Sequence, residues 1–136
     1  IVRGEAIKVF NQGRMRRDFT YIDDIVEGVV RLLPLAPQAD PNFDPETPNP
    51  ASSSAPWRIY NIGNNNTVEL NDFISTLEDA LGMKARKELL PMQPGDVYQT
   101  YADVSELERD FDFKPATTIE EGLGKFAAWY KDYYKD

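Results

Sequence analysis

The chain contains no histidine and no cysteine. Without histidine it lacks the commonest general base and the commonest metal ligand, so a Ser-His-Asp triad and a zinc site are both excluded and no metal is expected. Without cysteine there are no disulfides and no thiolate chemistry, which fits a reducing cytoplasm but fits other compartments too. Cations are also scarce. Lys and Arg number 15 against 23 Asp and Glu, leaving a formal charge of −8, which argues against a general nucleic-acid binder because no basic face replaces the counterions of a phosphate backbone. No apolar run approaches the roughly 20 residues of a membrane-spanning helix. No signal peptide is expected, since the chain opens on Ile1-Val2-Arg3-Gly4-Glu5 without Met, a start expected of a piece of something larger. No internal repeat is visible.

What is present is globular in character. The 136 residues, 41% hydrophobic and 28% charged, suffice for one domain with a real core. Residues 7–10 read as a short strand, 11–13 as a turn and 18–21 as another extended piece. Ile22, Ile25, Val26, Val29, Leu32 and Leu33 recur at helical spacing, Asp23 and Asp24 complement the dipole in the first turn, and Pro34 ends the helix. Residues 34–56 hold seven of the ten prolines with Ser52-Ser53-Ser54, and are expected to form a flexible insertion loop at the surface. Residues 57–62 carry apolar side chains on both faces and predict a buried strand. A helix over 70–81 shows Leu70, Phe73, Ile74, Leu77 and Leu81 on one stripe, with Gly82 as its left-handed ending. Residues 85–90 are compatible with a strand. Asp103-Val104-Ser105-Glu106 predicts a capped helix ending near Phe111, with Asp103 at the N-cap. Thr118-Ile119-Glu120-Glu121 predicts a capping box for a last helix carrying Ile119, Leu123, Phe126, Ala127, Tyr130, Tyr133 and Tyr134.

The chemically suggestive segment is Arg16-Arg17-Asp18-Phe19-Thr20-Tyr21, an extended stretch that turns straight into a helix. An arginine fork there suits a phosphate, since it donates bidentate hydrogen bonds to phosphate oxygens; equally, Arg17 reads as a surface residue paired with Asp18, Asp23 or Glu27. Arg16, its neighbour on an extended segment, points the other way. Phe10 reads as a buried residue of an edge strand. Pro91-Met92-Gln93-Pro94-Gly95-Asp96-Val97 reads as a polar loop with a Pro-Gly turn. Gly63 stands alone before Asn64-Asn65-Asn66 and marks a strand-ending turn rather than a phosphate loop.

Arg17-Asp18-Phe19, Ile59-Tyr60-Asn61-Ile62-Gly63 and the Met92-Gln93-Pro94-Gly95-Asp96 loop, in this order and spacing, resemble the C-terminal part of the extended short-chain dehydrogenase/reductase family. Among its members they are most similar to nucleotide-sugar epimerases of the UDP-glucuronate 4-epimerase type. The resemblance spans nearly the whole chain except 34–56, and implies an α/β substrate-binding portion, residues 1–136, with a few strands and about four helices. It implies that Arg17 grips the pyrophosphate of a UDP-sugar, that the Lys8-Val9-Phe10 strand holds uracil through backbone groups and an aromatic neighbour, and that Gln93 and Asp96 close over diphosphate and ribose. Many relatives have Arg at the place of Gln93; a neutral amide donates but does not neutralise charge, so more of the grip rests on Arg17. Catalysis in the family uses NAD on a Gly-rich strand-to-helix turn and a Tyr with Lys four residues later. Gly122-x-Gly124 lies in a predicted helix, and no Tyr here has Lys at that spacing, so no catalytic residue is assigned. NAD is implied to bind the N-terminal portion of the parent chain, and the intact enzyme to be a cytoplasmic homodimer. A dehydratase or decarboxylase of the same superfamily, or a stand-alone non-catalytic binding module, are the alternatives.

Overall fold

The computed structural model describes residues 1–134. Its fold is α/β, with four short strands and four helices among the described residues: β1 (Ala6–Val9), β2 (Arg16–Asp18), α1 (Ile22–Leu32), β3 (Thr67–Glu69), α2 (Leu70–Leu81), β4 (Arg86–Leu89), α3 (Ser105–Phe111) and α4 (Ile119–Tyr134). The strands form two separate pairs. β1 runs parallel to β4 with Lys8 opposite Glu88, and β2 runs antiparallel to β3 with Arg17 opposite Val68. On its other side β2 takes up residues 98–100, through Arg16 N–H to Tyr98 O at 2.9 Å and Thr100 N–H to Arg16 O at 3.2 Å.

α2 forms where its apolar stripe predicts, and Gly82 at φ 70 ends it in the left-handed region. α2 packs against α4, and the core around them holds Val9, Met15, Ile74, Leu81, Val104, Leu107, Leu123 and Ala127. Phe19 stacks on Phe73 with ring centroids 4.2 Å apart, tying the end of β2 to α2. Lys131 donates to the Leu81 carbonyl at 3.1 Å, where a cation complements the C-terminal end of a helix. Leu107 has no exposed surface; truncating such a side chain to Ala costs about 2–5 kcal/mol.

Four expectations need correction. Residues 57–62 are extended but belong to no strand, and Trp57 and Ile59 are exposed rather than buried. The reason is the want of a ladder partner: Ile59 N–H goes to Ala51 O at 3.0 Å, while Arg58 and Tyr60 reach by their side chains to Glu106 and Asp110 on α3. Phe10 lies past the end of β1, in a 3-10 turn over Phe10–Gly13. The Asp103 capping box is not made, because the helix takes Val104 as its N-cap: Asp103 stands one residue outside, accepting from Ser105 N–H, and Glu106 is drawn off to Arg58 at 3.0 Å. Its counterpart at α4 is half made: Thr118 Oγ1 accepts from Glu121 N–H, but the Glu121 carboxylate pairs with Lys125 at 2.8 Å. In α4 only Gly122, Leu123 and Ala127 are buried, whereas Phe126 and Tyr133 face solvent.

α1 is placed by its opposite face. Gly28 is its one buried residue, set against Ile62 and Phe113, so the stripe Ile22, Val26, Val29, Val30 and Leu33 is turned outward. No described helix is long and apolar enough to cross a membrane.

Candidate functional site

Arg17 and Asp96 stand 79 residues apart in sequence and meet in space. The Arg17 Nη2 donates to Asp96 Oδ1 at 2.9 Å, and its Nη1 donates to the carbonyls of Arg16 at 2.9 Å and Tyr98 at 3.3 Å. The guanidinium is thereby held at three points on β2 and on the segment beside it. Asp96 is held too: its Oδ1 also accepts from Val97 N–H at 2.8 Å, and its own N–H closes a turn onto Gln93 O at 3.1 Å. Gln93 thus enters the site through its backbone, and its side chain is exposed. Arg16 turns the other way, as alternation requires, giving its Nε to Thr67 Oγ1 at 2.9 Å and an Nη to Thr67 O at 2.7 Å.

Lys8 and Phe10 are not gathered around that pair. Lys8 is exposed on β1 beside Glu88, and Phe10 is half-buried in the turn that follows. Their link to the 91–97 loop is indirect, through Leu90, whose N–H donates to Val9 O at 2.9 Å and whose carbonyl accepts from Gln12 N–H at 3.1 Å.

Sequence reasoning missed Asp18. Its Oδ1 accepts from Asn64 N–H at 2.9 Å, and its Oδ2 from Asn65 N–H at 3.1 Å and Ala102 N–H at 3.2 Å. A signal was there: aspartate is disfavoured in strands, so one inside an extended segment calls for partners. Gly63 explains why two backbones approach it. A Cβ at Gly63 would overlap the Ala102 side chain and press on the Asp18 carboxylate.

A second polar cluster joins residues 58–60 to α3. The Tyr60 hydroxyl donates to Asp110 at 2.9 Å; burial, and then the neighbouring Asp110, raise the Tyr60 pKa. The Arg109 guanidinium holds the Asp110 carboxyl below its ordinary value, with the Tyr60 hydroxyl adding to the effect. This cluster staples residues 58–60 to α3. An apolar cleft of about 280 Å³, lined by Phe19, Tyr21, Ile22, Phe73 and Phe126 among others, includes neither Arg17 nor Asp96. The Arg17–Asp96 pair lies instead at an open surface, where a charged ligand would keep part of its hydration.

No group of metal-ligating side chains is found among the described residues. A dinucleotide fits no better. Gly122 and Gly124 lie inside α4, Gly122 against the Tyr21 ring, so their backbone N–H groups are not free to cradle phosphates.

Residues 1–63 match the NAD dependent epimerase/dehydratase family. The chain is 50% identical over 135 residues to Protein CapI of Staphylococcus aureus, covering 99% of this chain and 40% of that protein. It is 43% identical over 136 residues to a probable UDP-glucuronate 4-epimerase of Rhizobium meliloti, with the same coverage of 99% and 40%. The crystal structure of UDP-glucuronic acid 4-epimerase from Bacillus cereus in complex with UDP-glucuronic acid and NAD is similar at a TM-score of 0.74 and 29% identity, over 98% of this chain and 37% of that one. The chain therefore spans 37–40% of the length of these relatives.

Proposed function

We propose that the chain is the UDP-sugar-binding, C-terminal part of an NAD-dependent 4-epimerase of the UDP-glucuronate type, a reading supported by its similarity to such enzymes over 37–40% of their length. The observation that carries the proposal is the convergence of Arg17 and Asp96 at 2.9 Å from opposite halves of the chain. Three of the five guanidinium N–H groups are engaged, by Arg16 O, Tyr98 O and Asp96. The Nε–H and one Nη2–H remain for the oxygens of a diphosphate, a fork for which arginine is suited. Asp96 is engaged through Oδ1, and its Oδ2 is left for a ribose hydroxyl. Uracil would lie toward Lys8 and Phe10, where base–aromatic stacking contributes about 1–3 kcal/mol, and the Gln93 amide would reach the phosphates as a neutral donor.

NAD supplies hydride chemistry in such enzymes. No residue of this chain is assigned to hold it, and no catalytic acid or base is assigned here. The role of these residues is to bind and orient the nucleotide, with the N-terminal portion of a longer chain carrying NAD and the whole enzyme working as a cytoplasmic homodimer. Because the matched family joins epimerases with dehydratases, the nucleotide grip alone does not fix the reaction. Titration with UDP, UMP and NAD is the direct test: UDP binds, UMP binds more weakly for want of the second phosphate, and NAD does not bind these residues. Equal affinity for UDP in wild type and in Arg17→Ala sinks the proposal. Product analysis with UDP-glucuronate then separates epimerisation from dehydration or decarboxylation.

A further inference from the structure

Asp18 follows Arg17 on β2, and successive side chains on a strand leave opposite faces. One face carries the guanidinium toward Asp96. On the other, the Asp18 carboxylate gathers three backbone N–H groups from two remote segments: Asn64 at 2.9 Å, Asn65 at 3.1 Å and Ala102 at 3.2 Å. Asn65 is held there at φ 55, in the left-handed region, so the turn spends backbone strain to present its N–H. Gly63 lets Ala102 come down onto the same carboxylate.

Ala102 ends the segment that begins with Tyr98. That segment is fixed at its near end by Arg16, through Tyr98 O and Thr100 N, and at its far end by Asp18. Tyr98 O in turn accepts from Arg17 Nη1, and the chain just before it supplies Asp96. The position of Asp96 opposite Arg17 therefore depends on where residues 98–102 lie against β2.

We infer that Asp18 is a positioning residue of the nucleotide site, an inference resting on the UDP-binding reading above. Its carboxylate fastens the 98–102 segment and the 63–65 turn to β2, so that the 91–97 loop arrives with Asp96 in reach of Arg17. Asp18 touches no ligand. Its contribution is registered as affinity for the diphosphate, because a loop that wanders charges its ordering cost against binding.

The experiment uses the longest natural polypeptide that contains these residues, with Asp18→Asn, Asp18→Glu, Gly63→Ala and Arg17→Ala compared with wild type. UDP affinity is measured by calorimetry, and amide exchange is followed at Asn64, Val97, Ala102 and, as a check on the core, Ile74. Asp18→Asn removes a charge-assisted acceptor, and is expected to weaken UDP binding about tenfold. It is also expected to speed exchange at Asn64, Ala102 and Val97 while Ile74 stays protected. Gly63→Ala, which keeps the carboxylate but forces the segments apart, produces the same pattern and serves if Asp18→Asn does not fold. Asp18→Glu, one methylene longer, restores part of the affinity. Arg17→Ala weakens UDP without changing exchange at Ala102. Weaker binding in Arg17→Ala together with unchanged UDP affinity in Asp18→Asn and Gly63→Ala overturns this inference alone. Unchanged affinity in Arg17→Ala overturns the UDP-binding reading and this inference with it.

Discussion

Lys87 on β4 sets its ammonium 2.9 Å from the Glu78 carboxylate on α2, and that carboxylate is almost sealed from water. Lys84 approaches the other oxygen at 3.0 Å, and Ala85 N–H donates to the first at 3.2 Å. Hydrogen bonding from Lys87, and then from Lys84, pulls the Glu78 pKa from 4.5 down to about 2. A depressed carboxyl pKa means that the unfolded chain binds the proton more readily, so the stabilisation is present above pH 4.5 and is lost as pH falls from there toward 2. Glu78→Gln should flatten the acid limb of a stability–pH curve in that window and lower stability at pH 7, read by urea unfolding at a series of pH values. An unchanged acid limb would show that Glu78 is not the group responsible.

Arg17→Ala should weaken UDP binding by roughly 1.5–3 kcal/mol, the worth of hydrogen bonds to a charged group. In an intact enzyme the loss should show as a raised KM for the nucleotide sugar. Arg17→Lys should recover only part of it, because an ammonium does not reproduce the fork. Calorimetric titration with UDP distinguishes the three proteins.

Residues 34–56 are expected to be dispensable for stability. They form no helix or strand, and their ordering rests on local bonds such as Ser52 Oγ to Asp40 at 2.8 Å and Asp40 N–H to Ser53 O at 2.8 Å. Replacing 41–50 with a short Gly-Ser link should change the unfolding free energy by less than about 1 kcal/mol, because closure entropy varies slowly with length. Loss of cooperative unfolding would show that the loop packs as part of the core.

The outward stripe of α1 should make the isolated chain associate. Val26, Val30 and Leu33 are 52%, 53% and 77% exposed on one face, and contiguous apolar surface of that kind mediates contact. Sedimentation of the 136-residue chain should show dimers or larger species, and Val26→Lys with Val30→Lys should shift it toward monomer. A wild-type monomer at high concentration would count against the stripe as a contact surface.

Legibility from sequence followed the range of the forces involved. α1 and α2 were readable because periodicity and end signals are local, and Pro34 and Gly82 mark their stops in single letters. The β2–β3 pair was not, since Thr67-Val68-Glu69 is too short to show alternation and its partner lies about fifty residues away. Residues 57–62 misled for the complementary reason: β-prone side chains make a ladder only where a second backbone offers one. At the site, Arg17 and Asp96 were named through family resemblance, and the structure brings them together; Lys8 and Phe10, named in the same way, stand apart from them. Asp18 passed unnoticed because its partners are backbone groups, which leave no mark in the sequence.

The three bonds to Asp18 close loops of 46, 47 and 84 residues, and the Arg17–Asp96 bond closes one of 79. Long closures cost chain entropy before they return any energy, whereas α2 and α4 form from neighbours. We expect the ligand site to be the last part of the molecule to assemble. During synthesis, a chain that has emerged only as far as residue 90 carries Arg17 without Asp96 or Ala102. In a refolding experiment the recovery of nucleotide affinity should lag behind the recovery of helical ellipticity, and substitutions at Asp18 should lengthen that lag.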